Sequence, residues 1–149
     1  MTTMPAGEGI AKLPTGIPGF DLITLGGLPK GRTTLVAGTA GSAKTVMAAQ
    51  FLAEGIKNGD QSGVFVTFEE SPDDIRNNMI SLGWDIRQWE AEGRWAFVDA
   101  SLHPEHDQIV SGSFDFGALL ARVEHAIAKV GARRVAMDSL GAVFTHYQD

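Results

Sequence analysis

Between Thr33 and Lys57 the chain changes pattern abruptly. The run Thr33-Thr34-Leu35-Val36-Ala37 reads as a buried strand. Val46 to Lys57 carries Met47, Ala48, Phe51, Leu52 and Ile56 at helical spacing and stops at Asn58-Gly59. Between them lies Gly38-Thr39-Ala40-Gly41-Ser42-Ala43-Lys44-Thr45. Few folds accept a strand, a glycine-punctuated loop and a helix in so short a space. Successive backbone N–H groups at such a helix start can hold phosphate oxygens, so the stretch has the layout of a P-loop nucleotide site. It departs from G-x-x-x-x-G-K-[ST] at one position, where Ala43 stands in place of the second glycine.

The rest of the chain extends this alternation. Residues 1–9 are small and polar and read as a flexible N-terminus, with the domain running from residue 10 to residue 149. The segments Pro14-Thr15-Gly16-Ile17-Pro18-Gly19-Phe20-Asp21 and Gly26-Gly27-Leu28-Pro29-Lys30-Gly31 are dense in turn residues. Phe20, Leu22, Ile23 and Leu25 between them suggest a short helix or turn packed on the domain edge. Gly63 to Phe68 reads as a strand covered on both faces. Ser71-Pro72-Asp73-Asp74 starts a helix whose face is Ile75, Met79 and Leu82, and Asp85 caps a second short one. Arg94 to Asp99 is a further strand, and Ala100 to Gly112 a polar surface loop. A helix capped by Ser113 or Asp115 follows, with Phe116, Leu119, Leu120, Val123, Ile127 and Val130 on one stripe. Arg134 to Asp138 is the last strand.

Strands separated by helices imply an α/β fold with a mostly parallel sheet. Ligands of such sheets bind outside the carboxyl ends of the strands. Gly38 onward, Glu69-Glu70, Asp99 and Asp138 all fall at those ends. Within this frame Lys44 would reach the β- and γ-phosphates of a nucleotide and the Thr45 hydroxyl would ligate Mg²⁺. Asp138, after Val135-Ala136-Met137, would hold the metal directly or through water. Either Glu69 or Glu70 could polarise a water for attack on the γ-phosphate, and the spacing does not choose between them.

Composition narrows the alternatives. With 149 residues, 44% hydrophobic and 20% charged, the chain is long enough for one packed core. A net charge of −6 argues against a simple electrostatic nucleic-acid binder, and Arg133-Arg134 is too small a basic patch to reverse that. There is no cysteine for a disulfide or thiolate metal site, and no run of transmembrane length, so the expected location is the cytoplasm. His103 and His106 read as solvated loop residues, His125 as lying on the polar side of its helix, and Trp84, Trp89 and Trp95 as packing residues.

Taken together, Gly16 to Asp21, Gly26 to Gly31, the P-loop, Val64-Phe65-Val66-Thr67-Phe68-Glu69-Glu70, Gly83-Trp84-Asp85 and Arg133 to Ser139 resemble the KaiC branch of the RecA-like ATPases. The likeness runs from about Ile10 to the end and is nearer to the family's N-terminal repeat than to its autophosphorylating second repeat. It implies a three-layer RecA-like fold, Mg-ATP bound between protomers of a hexameric ring, and slow ATP hydrolysis. It implies Walker A roles for Lys44 and Thr45, the catalytic glutamate pair in Glu69 and Glu70, and the Walker B role for Asp138. It further implies Ser/Thr autokinase activity in a full-length parent and partnership with KaiA- and KaiB-like proteins. The competing readings are a DNA-dependent ATPase similar to RadA or DnaB, and an interaction module with a degenerate P-loop.

Two departures from the family pattern carry expectations. The pre-lysine glycine commonly has φ > 0, where an L-residue costs about 1–2 kcal/mol, so Ala43 is expected either to weaken nucleotide binding by about tenfold or more, or to re-shape the loop. In RecA-like domains the strand between the P-loop strand and the Walker B strand follows the latter in sequence. That strand is not found after Asp138, so the sheet is expected to be incomplete at its C-terminal side and the chain reads as a fragment.

Overall fold

The computed structural model describes residues 9–101 and 116–141. The cap signals act where the sequence places them. Helix α3 (Pro72–Ile80) starts with Ser71 accepting a hydrogen bond from the Asp74 N–H, with Pro72 in its first turn. Helix α4 (Ile86–Ala91) starts with Asp85 accepting from the Gln88 N–H. Helix α2 (Lys44–Asn58) begins at the lysine of the glycine-punctuated loop. The remaining elements are β1 (Lys12–Leu13), α1 (Pro18–Ile23), β2 (Leu28–Pro29), β3 (Gly63–Thr67), β4 (Trp95–Asp99), α5 (Phe116–Val130) and β5 (Arg134–Asp138).

Three strands form a parallel sheet in the order β4-β3-β5, with Thr67 in register with Asp99 on one side and Asp138 on the other. Every residue of β3 is buried, as its continuous apolar run requires of a central strand. Successive side chains take opposite faces. Phe65 joins Ala49, Leu52, Ile56, Ile75, Met79, Ile86 and Trp95 in one cluster, under α2, α3 and α4. Val64 and Val66 join Val98, Leu119, Val123 and Ala126 in the other, under α5. The result is the helix–sheet–helix arrangement of an α/β domain, consistent with a RecA-like core. Trp95 packs against Phe65, Phe97 and Trp89, so the tryptophans pack as expected. No helix among the described residues is long and apolar enough to cross a membrane.

Four expectations need correction. The segment 33–37 is no strand: it lies outside every sheet, with Leu35 76% and Val36 43% exposed. A strand exists only through its partner's hydrogen bonds, and the sheet ends at β5 with no described strand between that edge and segment 33–37. The incompleteness expected of the sheet therefore removes the P-loop segment itself from the ladder.

Second, α1 forms, but Leu22, Ile23 and Leu25 are exposed rather than packed. The lead-in is anchored by polar bonds instead. Asp21 accepts from the Thr15 N–H and hydroxyl and from the Gly16 N–H, and Gln50 of α2 donates to the Gly16 carbonyl.

Third, Leu82 is half exposed while Ile75 and Met79 are buried, because α3 ends before reaching it. Fourth, Phe116 and Leu120 of α5 are exposed. The buried stripe is Leu119, Val123 and Ala126, with Ile127 and Val130 beside it, since α5 lies over β3 and β4. The small pair β1–β2 had no sequence signal strong enough to mark it. The expectations for residues 1–8, for most of the loop at 100–112 with His103 and His106, and for Ser113 and Asp115 lie outside the described residues.

Candidate functional site

The carboxyl ends of β3 and β5 and the start of α2 meet at one place. Ala43, the residue before Lys44, has φ 63° and ψ 28°, the left-handed conformation that the motif's glycine serves. The loop folds back on itself: the Ser42 N–H and hydroxyl both donate to the Thr39 carbonyl, at 3.2 and 2.7 Å. A side chain at Gly38 would meet the Ser42 hydroxyl at 2.5 Å, so this close approach requires glycine. Lys44 Nζ donates to the carbonyls of Gly38 (2.5 Å) and Thr39 (3.0 Å), so the ammonium lies inside the curl of the loop. The residues 38–43 are themselves exposed.

At the second residue of α2, Thr45 Oγ1 donates to Asp138 Oδ2 at 2.5 Å, joining positions 93 residues apart. Asp138 is the last residue of β5, and its carbonyl accepts from the Phe68 N–H. The hydroxyl and carboxylate at this contact are hard oxygen donors, and among the described residues no group of three or more His, Cys, Asp or Glu is arranged to hold a metal ion. One or two protein oxygens suit Mg²⁺, which keeps waters and takes substrate phosphates for the rest of its octahedron, so these residues fit that ion.

Glu69 and Glu70 follow β3 and are both exposed. Partial burial, then the charges of Asp138, Asp74 and Glu69, push the Glu70 carboxyl above the ordinary glutamate range. Its backbone carbonyl is held at 2.7 Å by the hydroxyl of Thr67, which is fully buried between Asp99 and Asp138 in the register. Sequence reasoning passed over Thr67. A lone hydroxyl ending an apolar run, just before paired carboxylates, was the available signal.

Asp99 shares the sheet edge but not the contact. Two strand spacings, about 9–10 Å, separate its backbone from that of Asp138. Its carboxylate accepts from the N–H and hydroxyl of Ser101, and its carbonyl accepts from Arg122 at 2.8 Å. The fold thus brings Lys44, Thr45, Asp138 and the Glu69-Glu70 turn together, while Asp99 bonds Ser101 and Arg122 instead.

With known proteins, the following likenesses are found. A family model described as KaiC, an ATPase, matches residues 13–149. The chain is 62% identical over 142 residues to the circadian clock protein KaiC3 of Synechocystis sp., covering 95% of this chain and 28% of that one. It is 52% identical over 140 residues to the circadian clock oscillator protein KaiC of Rippkaea orientalis, covering 94% and 27%. To the protein of that name from Prochlorococcus marinus it is 50% identical over 138 residues, covering 93% and 28%. The chain therefore spans little more than a quarter of the length of these relatives.

Proposed function

The chain belongs to the KaiC family of ATPases, and from that premise we propose that it binds Mg-ATP at the α2–β5 contact and contributes the residues for slow hydrolysis. The observation that carries this reading is the Thr45–Asp138 hydrogen bond, which joins a P-loop threonine to a strand-end carboxylate at the start of a phosphate-cradling helix.

In this reading the N–H groups of residues 39–44 and the Lys44 ammonium hold the β- and γ-phosphates, releasing Lys44 from the loop carbonyls it binds. Thr45 and Asp138 would hold Mg²⁺, which when bound neutralises charge on the phosphate oxygens. A carboxylate of the Glu69-Glu70 pair accepts a proton from the attacking water. The water oxygen bonds to the γ-phosphorus, the bond to the bridging oxygen breaks, and ADP leaves with that electron pair. The raised pKa of Glu70 suits proton acceptance nearer neutrality than an ordinary glutamate.

The test is titration with a fluorescent ATP analogue and Mg²⁺. The wild-type chain is expected to bind, and Lys44→Ala to lose binding by about a hundredfold, the loss of a charge-assisted phosphate contact worth about 2–3 kcal/mol. Wild-type binding no tighter than that of Lys44→Ala overturns the ATPase reading in favour of a degenerate P-loop module. Glu69→Gln combined with Glu70→Gln should keep binding and abolish hydrolysis. Assembly into a hexameric ring, autokinase activity of a longer parent, a clock role and binding of KaiA- or KaiB-like proteins are proposals supported by the family alone.

A further inference from the structure

Besides the apolar packing of Ala49, Leu52 and Ile56, two hydrogen-bonded contacts tie helix α2 to β5. One is the Thr45–Asp138 hydrogen bond at the site. The other lies at the opposite end of the same strand, four residues or about 13 Å away. There Arg134 is 3% exposed, and its guanidinium sits 4.6 Å over the Phe51 ring. Its Nη1 donates to the carbonyls of Phe51 (2.9 Å) and Pro14 (2.6 Å), and its Nε to Gln61 Oε1 (2.9 Å).

This is a buried cation whose direct hydrogen-bond partners are neutral oxygens. Burial disfavours its charged form, and Glu54 and Asp21 only partly offset that. A group this costly to bury is a poor choice for stability alone, because an apolar side chain of similar volume would do at least as well. The helix also makes room for it. A Cβ at Gly55, inside α2, would meet Arg134 Cδ and Nε at 2.7 Å, although glycine in mid-helix weakens the helix. The P-loop preceding α2 is exposed and belongs to no sheet, so it cannot set the angle of the helix on β5. Ala49, Leu52 and Ile56 already pack α2 on the sheet, but apolar contacts are non-directional; a second directional attachment besides Thr45 fixes the register of the helix along β5.

We propose that Arg134 is a positioning residue for the metal pair: it clamps α2 and the lead-in loop onto the far end of β5 and thereby sets Thr45 against Asp138. The inference rests on the Mg-ATP reading above. Partners bonded directly to a metal's ligands typically change its affinity by about 10- to 100-fold, and Arg134, about 13 Å along the strand from Asp138, is assigned the lower figure.

The test measures the Mg²⁺ midpoint for binding of a fluorescent ATP analogue, with a thermal melt of each protein, in the full chain. Arg134→Met should raise the midpoint about tenfold. Arg134→Lys, which keeps a cation but not the fork of donors, should restore part of it. Gly55→Ala crowds the guanidinium while favouring the helix, and should raise the midpoint even where the Met variant does not fold. An unchanged midpoint in Gly55→Ala, or in a folded Arg134→Met whose Tm has dropped, overturns the proposal and leaves Arg134 a purely structural residue. If wild type and Lys44→Ala bind alike, the Mg-ATP reading itself fails and this inference with it, an outcome distinct from a clamp that does not matter.

Discussion

Ala43 is the residue where local chemistry and function conflict most directly. Its left-handed backbone, φ 63°, is what the sequence motif demands of that position, and the chain meets the demand without glycine. The strain of about 1–2 kcal/mol is partly offset because alanine restricts the unfolded chain more than glycine does. Ala43→Gly is therefore expected to stabilise the protein by about 0.5–1 kcal/mol, read as a rise in Tm of about 1–4 °C. The same change should tighten binding of the ATP analogue by about two- to fivefold, less than the tenfold expected from the motif alone. A fall in Tm would show that the methyl makes a contact worth more than the strain. This position was legible in the sequence because a P-loop's backbone geometry is local: the residue before the lysine turns left whatever surrounds it.

At the scale of elements, the lead-in shows how a polar device can replace an apolar one. The exposed Leu22, Ile23 and Leu25 contribute little to holding α1, while Asp21 gathers three donors from Thr15 and Gly16. Burial pushes the Asp21 carboxyl up, but those hydrogen bonds and the charge of Arg134 outweigh it and hold it below the ordinary aspartate range. A depressed carboxylate stabilises the fold above its unfolded pKa, and that contribution is lost as pH falls through the folded value. Asp21→Ala should cost about 1–2 kcal/mol at neutral pH, by chemical denaturation, since the group is only partly buried. The gap between variant and wild type should close on acidification; a gap that persists in acid would mean the charge is irrelevant. Apolar spacing had suggested packing here, and missed the carboxylate because hydrogen-bond partners six residues back leave no periodic trace.

For the whole molecule, the decisive feature is where the sheet stops. Among the described residues strand β5 pairs on one side only, and Val135 and Met137 are 38% and 42% exposed on the same face as Val64 and Val66, where α5 covers β3 and β4 but stops short of β5. An open edge beside exposed apolar residues templates association between chains. Val135→Lys is expected to lower concentration-dependent association, measured by light scattering across a dilution series, without changing the far-UV circular dichroism. Scattering that is unchanged would place the sticky surface elsewhere, with α1 the next to examine.

Three local features follow from the sequence by itself: the starts of α2, α3 and α4, the burial of β3 on both faces, and the positions of Lys44, Thr45, the glutamate pair and Asp138 at strand or helix ends. Each depends on a few neighbouring residues, through caps, left-handed turns and unbroken apolar runs, so each survives without knowledge of the rest. The tertiary structure decided what depends on a partner. It placed segment 33–37 outside the sheet, because a strand needs a neighbour's hydrogen bonds and the nearest sheet edge is not adjacent in the ladder. It buried Arg134 among the carbonyls of two other segments, because a basic pair looks like surface until the elements that receive it are in place. It also brought Thr45 onto Asp138 across 93 residues, a contact the spacing could suggest but only packing of α2 on β5 could make.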